Sequence, residues 1–161
     1  MIGGTAETKM SNIISFELVE IDGGALSLTP CIDGTPLTTL ISQFEEANGY
    51  TDPAGGYAGI VPSEWGFGPL LPYFCGVRDH RGISDRPGDI FVLGCQCGEV
   101  GCWPLISSVS HEAGGYKWSG FNQPHRKERN YENFGPFEFE KGQYEAAVRG
   151  AILKLKQSER A

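Results

Sequence analysis

Apolar and polar positions alternate with a period of two along the first regular stretch. From Asn12 to Ile21, Phe16 and Leu18 share one face while Glu17 and Val19 share the other. Asp22-Gly23-Gly24 is a turn signal and Ala25-Leu26-Ser27-Leu28-Thr29 alternates again, which predicts a β-hairpin. The period then becomes helical. Leu37, Leu40, Ile41, Phe44 and Ala47 form one apolar stripe, with Thr35 placed to cap the helix, Pro36 at its first position and Asn48-Gly49 at its end.

Regularity fails between Gly49 and Asp89, where glycine and proline recur, as in Asp52-Pro53-Ala54-Gly55-Gly56 and Trp65-Gly66-Phe67-Gly68-Pro69. Long irregular stretches in compact domains are often binding loops or lids. The aromatics Tyr50, Tyr57, Trp65, Phe67, Tyr73 and Phe74 either tuck this loop onto the core or line a pocket. Leu70 to Cys75 reads as a helical turn or a core-packing strip. Asp79-His80-Arg81 and Ser84 to Asp89 are polar and expected near water.

Beyond the loop, Ile90 to Cys97 is predicted as a strand and Cys102 to Ser110 as its antiparallel return. Ala113-Gly114-Gly115 then turns the chain into a third strand from Tyr116 to Phe121. Asn133 to Phe139, with alternating phenylalanines and a Gly-Pro turn, is a short extended strip over the core. A last helix is predicted from Lys141 to Ser158, with Tyr144, Ala147, Val148, Ala151, Ile152 and Leu155 on its apolar side. The expected class is α+β: an antiparallel sheet from the hairpin and the later three-stranded meander, packed against two amphipathic helices. It forms a single domain over 12–161, with the irregular loop at about 49–89, behind a flexible polar leader at 1–11 in which Met10 is an alternative start.

Composition narrows the function classes. The chain has 161 residues, 40% hydrophobic and 20% charged, enough for one real core and against wholesale disorder. A formal charge of -7 repels phosphate backbones, which excludes nucleic acid unless a basic patch overrides it. The one basic run, His125-Arg126-Lys127-Glu128-Arg129, is interrupted by an acid and reads as a solvated loop. No apolar run reaches bilayer length and no signal-peptide pattern opens the chain, so no membrane partner is expected. Five cysteines, an odd number without a secretion signal, point to the reducing cytoplasm and to free thiols.

Three of the five fall within eight residues, in Gly94-Cys95-Gln96-Cys97-Gly98-Glu99-Val100-Gly101-Cys102-Trp103-Pro104. If Cys97 pairs with Cys102 across a tight turn, both project to one face, and Cys95 joins them by strand alternation. Three converging sulfurs suit a tetrahedral soft metal, with zinc the natural candidate. The metal set proposed is Cys95, Cys97, Cys102 and, as fourth ligand, His125. Cys75, His111 and Glu99 are alternatives for that fourth place, with His111 at the far end of its strand. Cys-x-Cys spacing is less typical of zinc than pairs set two or more residues apart. Two other readings stand beside metal: the cysteines pack as small apolar residues beneath Trp103, or one is a redox or nucleophilic thiol. Cys31 and Cys75 sit among apolar neighbours and read as buried filler.

In Trp118 to Arg126, His125 is a candidate base or ligand and Arg126 a candidate anion clamp. The structural alternative has Asn122 and Gln123 bonding loop backbone and Arg126 pairing a surface carboxylate. Nucleophile-elbow, zinc-protease, phosphate-loop and dinucleotide motifs do not occur.

The segments Gly94 to Leu105, Trp118-Ser119-Gly120-Phe121-Asn122-Gln123-Pro124-His125-Arg126 and Phe134-Gly135-Pro136-Phe137-Glu138-Phe139, followed by a helix with Gln143-Tyr144-Glu145, resemble an uncharacterised family of small bacterial proteins. The resemblance spans Pro87 to Ala147, and more loosely the first hairpin and helix. It implies a bacterial origin and a strand-rich second half, and transfers no catalytic or binding residue. Three functions compete on these grounds. The first is a non-catalytic cytoplasmic binding or accessory protein with a protein or small-molecule partner. The second is a zinc protein with a structural cysteine hairpin. The third is a thiol enzyme using Cys95 or Cys97 with His125.

Overall fold

The computed structural model describes residues 11–21, 23–77, 86–99 and 101–160. The leader up to Met10 and the polar residues from Asp79 to Asp85 lie outside the described residues. The class is α+β, as the two periodicities predict, with the strands divided between two antiparallel sheets.

The first sheet begins with the predicted hairpin. β1 (Ile14–Glu20) pairs with β2 (Leu26–Ile32) from Ile14 opposite Ile32 to Glu20 opposite Leu26. Phe16 and Leu18 pack on the core while Ser15, Glu17 and Val19 face outward, so the alternation is what orients the strand. Thr35 does not cap the first helix. Thr35 and Pro36 form β3 (Thr35–Pro36), paired with Cys31 and Ile32, and the helix α1 (Leu37–Ala47) starts directly after Pro36. Its end at Asn48-Gly49 is as predicted, with Gly49 in the left-handed region at φ 78°.

The stretch from 49 to 89 carries three short elements: β4 (Tyr57–Ala58), α2 (Pro62–Trp65) and α3 (Leu70–Phe74). Of its aromatics, Tyr57, Phe67, Tyr73 and Phe74 are buried and Tyr50 and Trp65 half-buried, so most of them tuck the stretch onto the core, while Tyr57 also borders a surface cavity. The Tyr73 hydroxyl donates to the Phe91 carbonyl at 2.9 Å and accepts from the Phe91 amide at 2.8 Å, pinning the stretch to the second sheet.

That sheet is β4-β5-β6-β7-β8, with β5 (Asp89–Cys95), β6 (Leu105–Glu112), β7 (Gly115–Asn122) and β8 (Phe137–Glu140). The meander is present, with Tyr116 and Trp118 buried on one face, and the Phe134–Phe139 strip supplies its edge strand. Asp89 departs from the sequence reading. It is 1% exposed rather than near water, because Arg86 Nε at 3.1 Å and Ser108 Oγ at 2.5 Å satisfy its carboxylate. The helix α4 (Lys141–Arg160) buries Tyr144, Val148 and Ala151 against both sheets. Gln143 reaches from it to both backbone groups of Ile14, and the Tyr144 hydroxyl accepts from Trp118 Nε1 and donates to the Phe74 carbonyl.

One polar group lies in this core without precedent in the apolar pattern. Glu45 of α1 is 0% exposed. Its Oε1 accepts from the Gly55 amide at 2.7 Å, and its Oε2 accepts from the Tyr57 and Tyr131 hydroxyls, each at 2.7 Å, and from Arg129 Nη1 at 3.3 Å. Gln123 Nε2 donates to the Tyr57 hydroxyl at 3.1 Å, which commits that hydroxyl's own proton to Glu45. The face α1 buries therefore runs through Leu37, Ile41 and Glu45, and Ala47 is left exposed. The basic run is not a uniformly solvated loop either, since Arg129 is buried and paired with Glu45. Burial, together with the hydrogen bond to Glu45, pushes the Tyr131 hydroxyl up to about 12, and burial pushes Tyr57 upward as well.

Replacing one partner of a buried, hydrogen-bonded ion pair leaves the other charge uncompensated. Glu45→Gln is expected to cost about 3 kcal/mol of unfolding free energy in a urea titration. Glu45→Gln with Arg129→Met is expected to cost clearly less than the two single changes combined.

Candidate metal centre

β5 ends at Cys95 because the chain turns there. The Gly98 amide donates to the Cys95 carbonyl at 3.0 Å, and the Gln96 amide leaves the ladder for the Gly56 carbonyl at 3.1 Å. Cys97 and Cys102 are consequently in the connection between β5 and β6, not in paired strands as the sequence reading had them. The sulfurs converge all the same. The Sγ atoms of Cys95, Cys97 and Cys102 lie within 4.8 Å of one another. Gly98 at φ 90° and Gly101 at φ 83° make the bends, in a region where a Cβ is strained.

The connection sits on an aromatic floor. Trp65 packs so closely on Gly94 that a Cβ there would meet its ring at 2.1 Å, and Trp65 Nε1 donates to the Gly98 carbonyl at 3.3 Å. On the other flank, Trp103 Nε1 donates to the Gly55 carbonyl at 2.9 Å, and the Arg126 guanidinium lies 5.1 Å from the Trp103 ring centroid. Gly55 is the residue whose amide binds Glu45, so the buried carboxylate sets the surface on which Trp103 docks.

A second line of hydrogen bonds leads from Glu45 to the cysteines. Gln123, bonded to Tyr57, accepts the His125 amide at 3.1 Å through its Oε1. His125 Nε2 then meets the Gly101 carbonyl at 2.6 Å, one residue before Cys102. A carbonyl only accepts, so Nε2 carries the proton here. The group that converges within 4.8 Å comprises the three sulfurs, and the His125 ring is engaged beside them. Of the other fourth-ligand candidates, Cys75 follows α3 with its sulfur 3.3 Å from the Tyr116 hydroxyl, and His111 Nε2 bonds the Cys75 carbonyl. Glu99 is exposed at the connection itself. Arg126 bonds the carbonyls of Asp52 and His125 rather than a carboxylate.

All five cysteines are free thiols. Cys31 and Cys75 are buried, as expected of filler, whereas Cys97 and Cys102 are exposed and Cys95 half-buried, which removes the reading of the trio as packed apolar residues. Their acidities diverge. A hydrogen bond from the Glu99 backbone, aided by Cys95 and Cys102, holds the Cys97 thiol below its ordinary value. Hydrogen bonding to Cys95 and then to Cys97 pushes Cys102 up to about 12. Thiols this close cannot all ionise without a countercharge, and Cys97 gives up its proton ahead of Cys102. The Cys97 amide also donates to Cys95 Sγ at 3.4 Å, tying the two residues together at the turn.

The chemistry open to this arrangement is that of soft sulfur donors: coordination of a thiophilic ion or thiol exchange. In metal-free protein, iodoacetamide is expected to label Cys97 first and Cys102 later, with Cys31 and Cys75 reacting only after denaturation, as read by peptide mass spectrometry.

Among the described residues, no helix is long and apolar enough to cross a membrane. No protein-family model matches the chain, and no curated protein or solved structure matches it.

Proposed function

We propose that this is a non-catalytic metal-binding protein of the reducing bacterial cytoplasm, which holds one zinc-class ion on Cys95, Cys97 and Cys102. The observation that carries this reading is the convergence of three exposed or half-exposed sulfurs within 4.8 Å. Zinc–sulfur bonds of about 2.3 Å in a tetrahedron require sulfurs roughly 3.8 Å apart, so the trio closes on an ion by small side-chain adjustments. The donors are local, while their support is long-range: Gly56, Trp65 and His125 each hold the connection from a distant part of the chain. A thiolate site supported by outer hydrogen bonds is the arrangement that orients metal ligands.

A thiol-enzyme reading is less well supported. It would pair a cysteine with His125 as base, and His125 Nε2 is bonded to the Gly101 carbonyl instead of a sulfur. The His125 ring borders the connection as an outer hydrogen-bond partner, so the ligands this reading assigns are the three sulfurs.

Untagged protein purified without chelator is expected to carry about one zinc per chain by elemental analysis. Cys102→Ser is expected to fold and to lose more than about 100-fold in zinc affinity, beyond the loss of roughly 10–100-fold that follows removal of an outer hydrogen-bond partner. A trace of metal far below one per chain, with Cys102→Ser unchanged, removes the proposal. The pH dependence has a definite sign. Cys102, pushed up to about 12, is protonated near neutrality in the free protein, so binding must displace its proton. Affinity measured by chelator competition is therefore expected to rise with pH, by about tenfold per pH unit for each proton released.

A further inference from the structure

A groove of about 310 Å³ opens beside the sulfur cluster, lined in part by Cys95, Cys97, Ile21, Val61, Glu64 and Glu99. Two of the three sulfur-bearing residues thus border a cavity with apolar surface and two exposed carboxylates, and no lysine, arginine or histidine among the described residues lines it. The three sulfurs satisfy three positions of a tetrahedral ion and leave one. His125 is not part of the groove, and its Nε2 is bonded to Gly101.

Resting on the metal reading above, we infer that the fourth coordination position is filled from this groove by a small cationic thiol, an aminothiol in chemical class. Three thiolates make the ion soft and favour a further sulfur donor over oxygen. A divalent ion on three thiolates keeps a single net negative charge, and Glu64 and Glu99 add two more beside it. That field favours a protonated amine on the ligand and disfavours a carboxylate. Ile21, Ala58 and Val61 suit the short methylene spacer between amine and sulfur. On binding, the ligand S–H bond breaks and its proton goes to solvent, a sulfur–metal bond forms and the coordinated water leaves. No electrons are transferred.

Cobalt(II) is the spectroscopic probe, because thiolate-to-cobalt absorption reports both loading and a further sulfur ligand. The loaded full-length protein is titrated separately with cysteamine, 2-mercaptoethanol and 3-mercaptopropionate, alongside Glu64→Gln and Glu99→Gln. Comparing each variant with the parent protein cancels the thiols' own differences in acidity. Cysteamine is expected to add intensity to the charge-transfer band, and Glu64→Gln combined with Glu99→Gln to weaken cysteamine by roughly tenfold while strengthening 3-mercaptopropionate. Cobalt bands that ignore all three thiols, or thiol affinities the glutamine variants leave unchanged, overturn the inference while the metal site stands. Absence of cobalt bands overturns the metal reading and this inference together.

Discussion

A carboxylate without access to water governs the arrangement of this molecule. Glu45 cannot be buried unless donors surround it, and the chain supplies them from two separate stretches: Gly55 and Tyr57, and Arg129 and Tyr131. Each donor drags its own segment inward. The glycine-rich stretch after α1 is thereby folded under the helix, and the residues following β7 are bent back across it. Arg129 also donates to the Pro53 carbonyl at 2.9 Å and lies over the rings of Tyr50 and Trp103, so one guanidinium joins several otherwise independent loops.

The cysteine connection depends on this constraint without touching it. Its two flanks rest on Trp65 and Trp103, and its far end is held by His125. Trp103 and His125 both lead back to Glu45, through Gly55 and through Gln123 with Tyr57. A loop rich in glycine would otherwise have many conformations, and the buried network removes most of them. Pre-organisation of this kind would serve the proposed metal site, because the sulfurs are gathered before any ion arrives.

The sequence carried the elements whose burial follows a simple period. β1, β2, the meander and α4 were legible because their apolar positions alternate or repeat along one face. The sulfur cluster was legible as well, since eight residues with three cysteines and flanking glycines allow few other outcomes. Glu45 was not. A glutamate within a helix counts as solvated in any apolar-stripe argument, and its donors lie 10 to 86 positions away. Arg129 was hidden for the same reason, inside a run that looks like ordinary charged surface. The strand end at Cys95 was also out of reach, because it is set by a hydrogen bond from Gln96 to Gly56, a partner 40 residues upstream that no local pattern marks.

The closeness of the three cysteines along the chain has a further consequence for energetics. Donors separated by so few residues remain near one another in the denatured ensemble, so an ion bound as proposed would retain much of its hold after the tertiary structure is lost. Binding to both states cancels in the linkage relation, and only the share contributed by the tryptophan floor and His125 would appear as added thermal resistance. On the proposed metal reading, the ion would act less as a rivet for the whole domain than as cargo that the nascent chain can seize before the rest has collapsed.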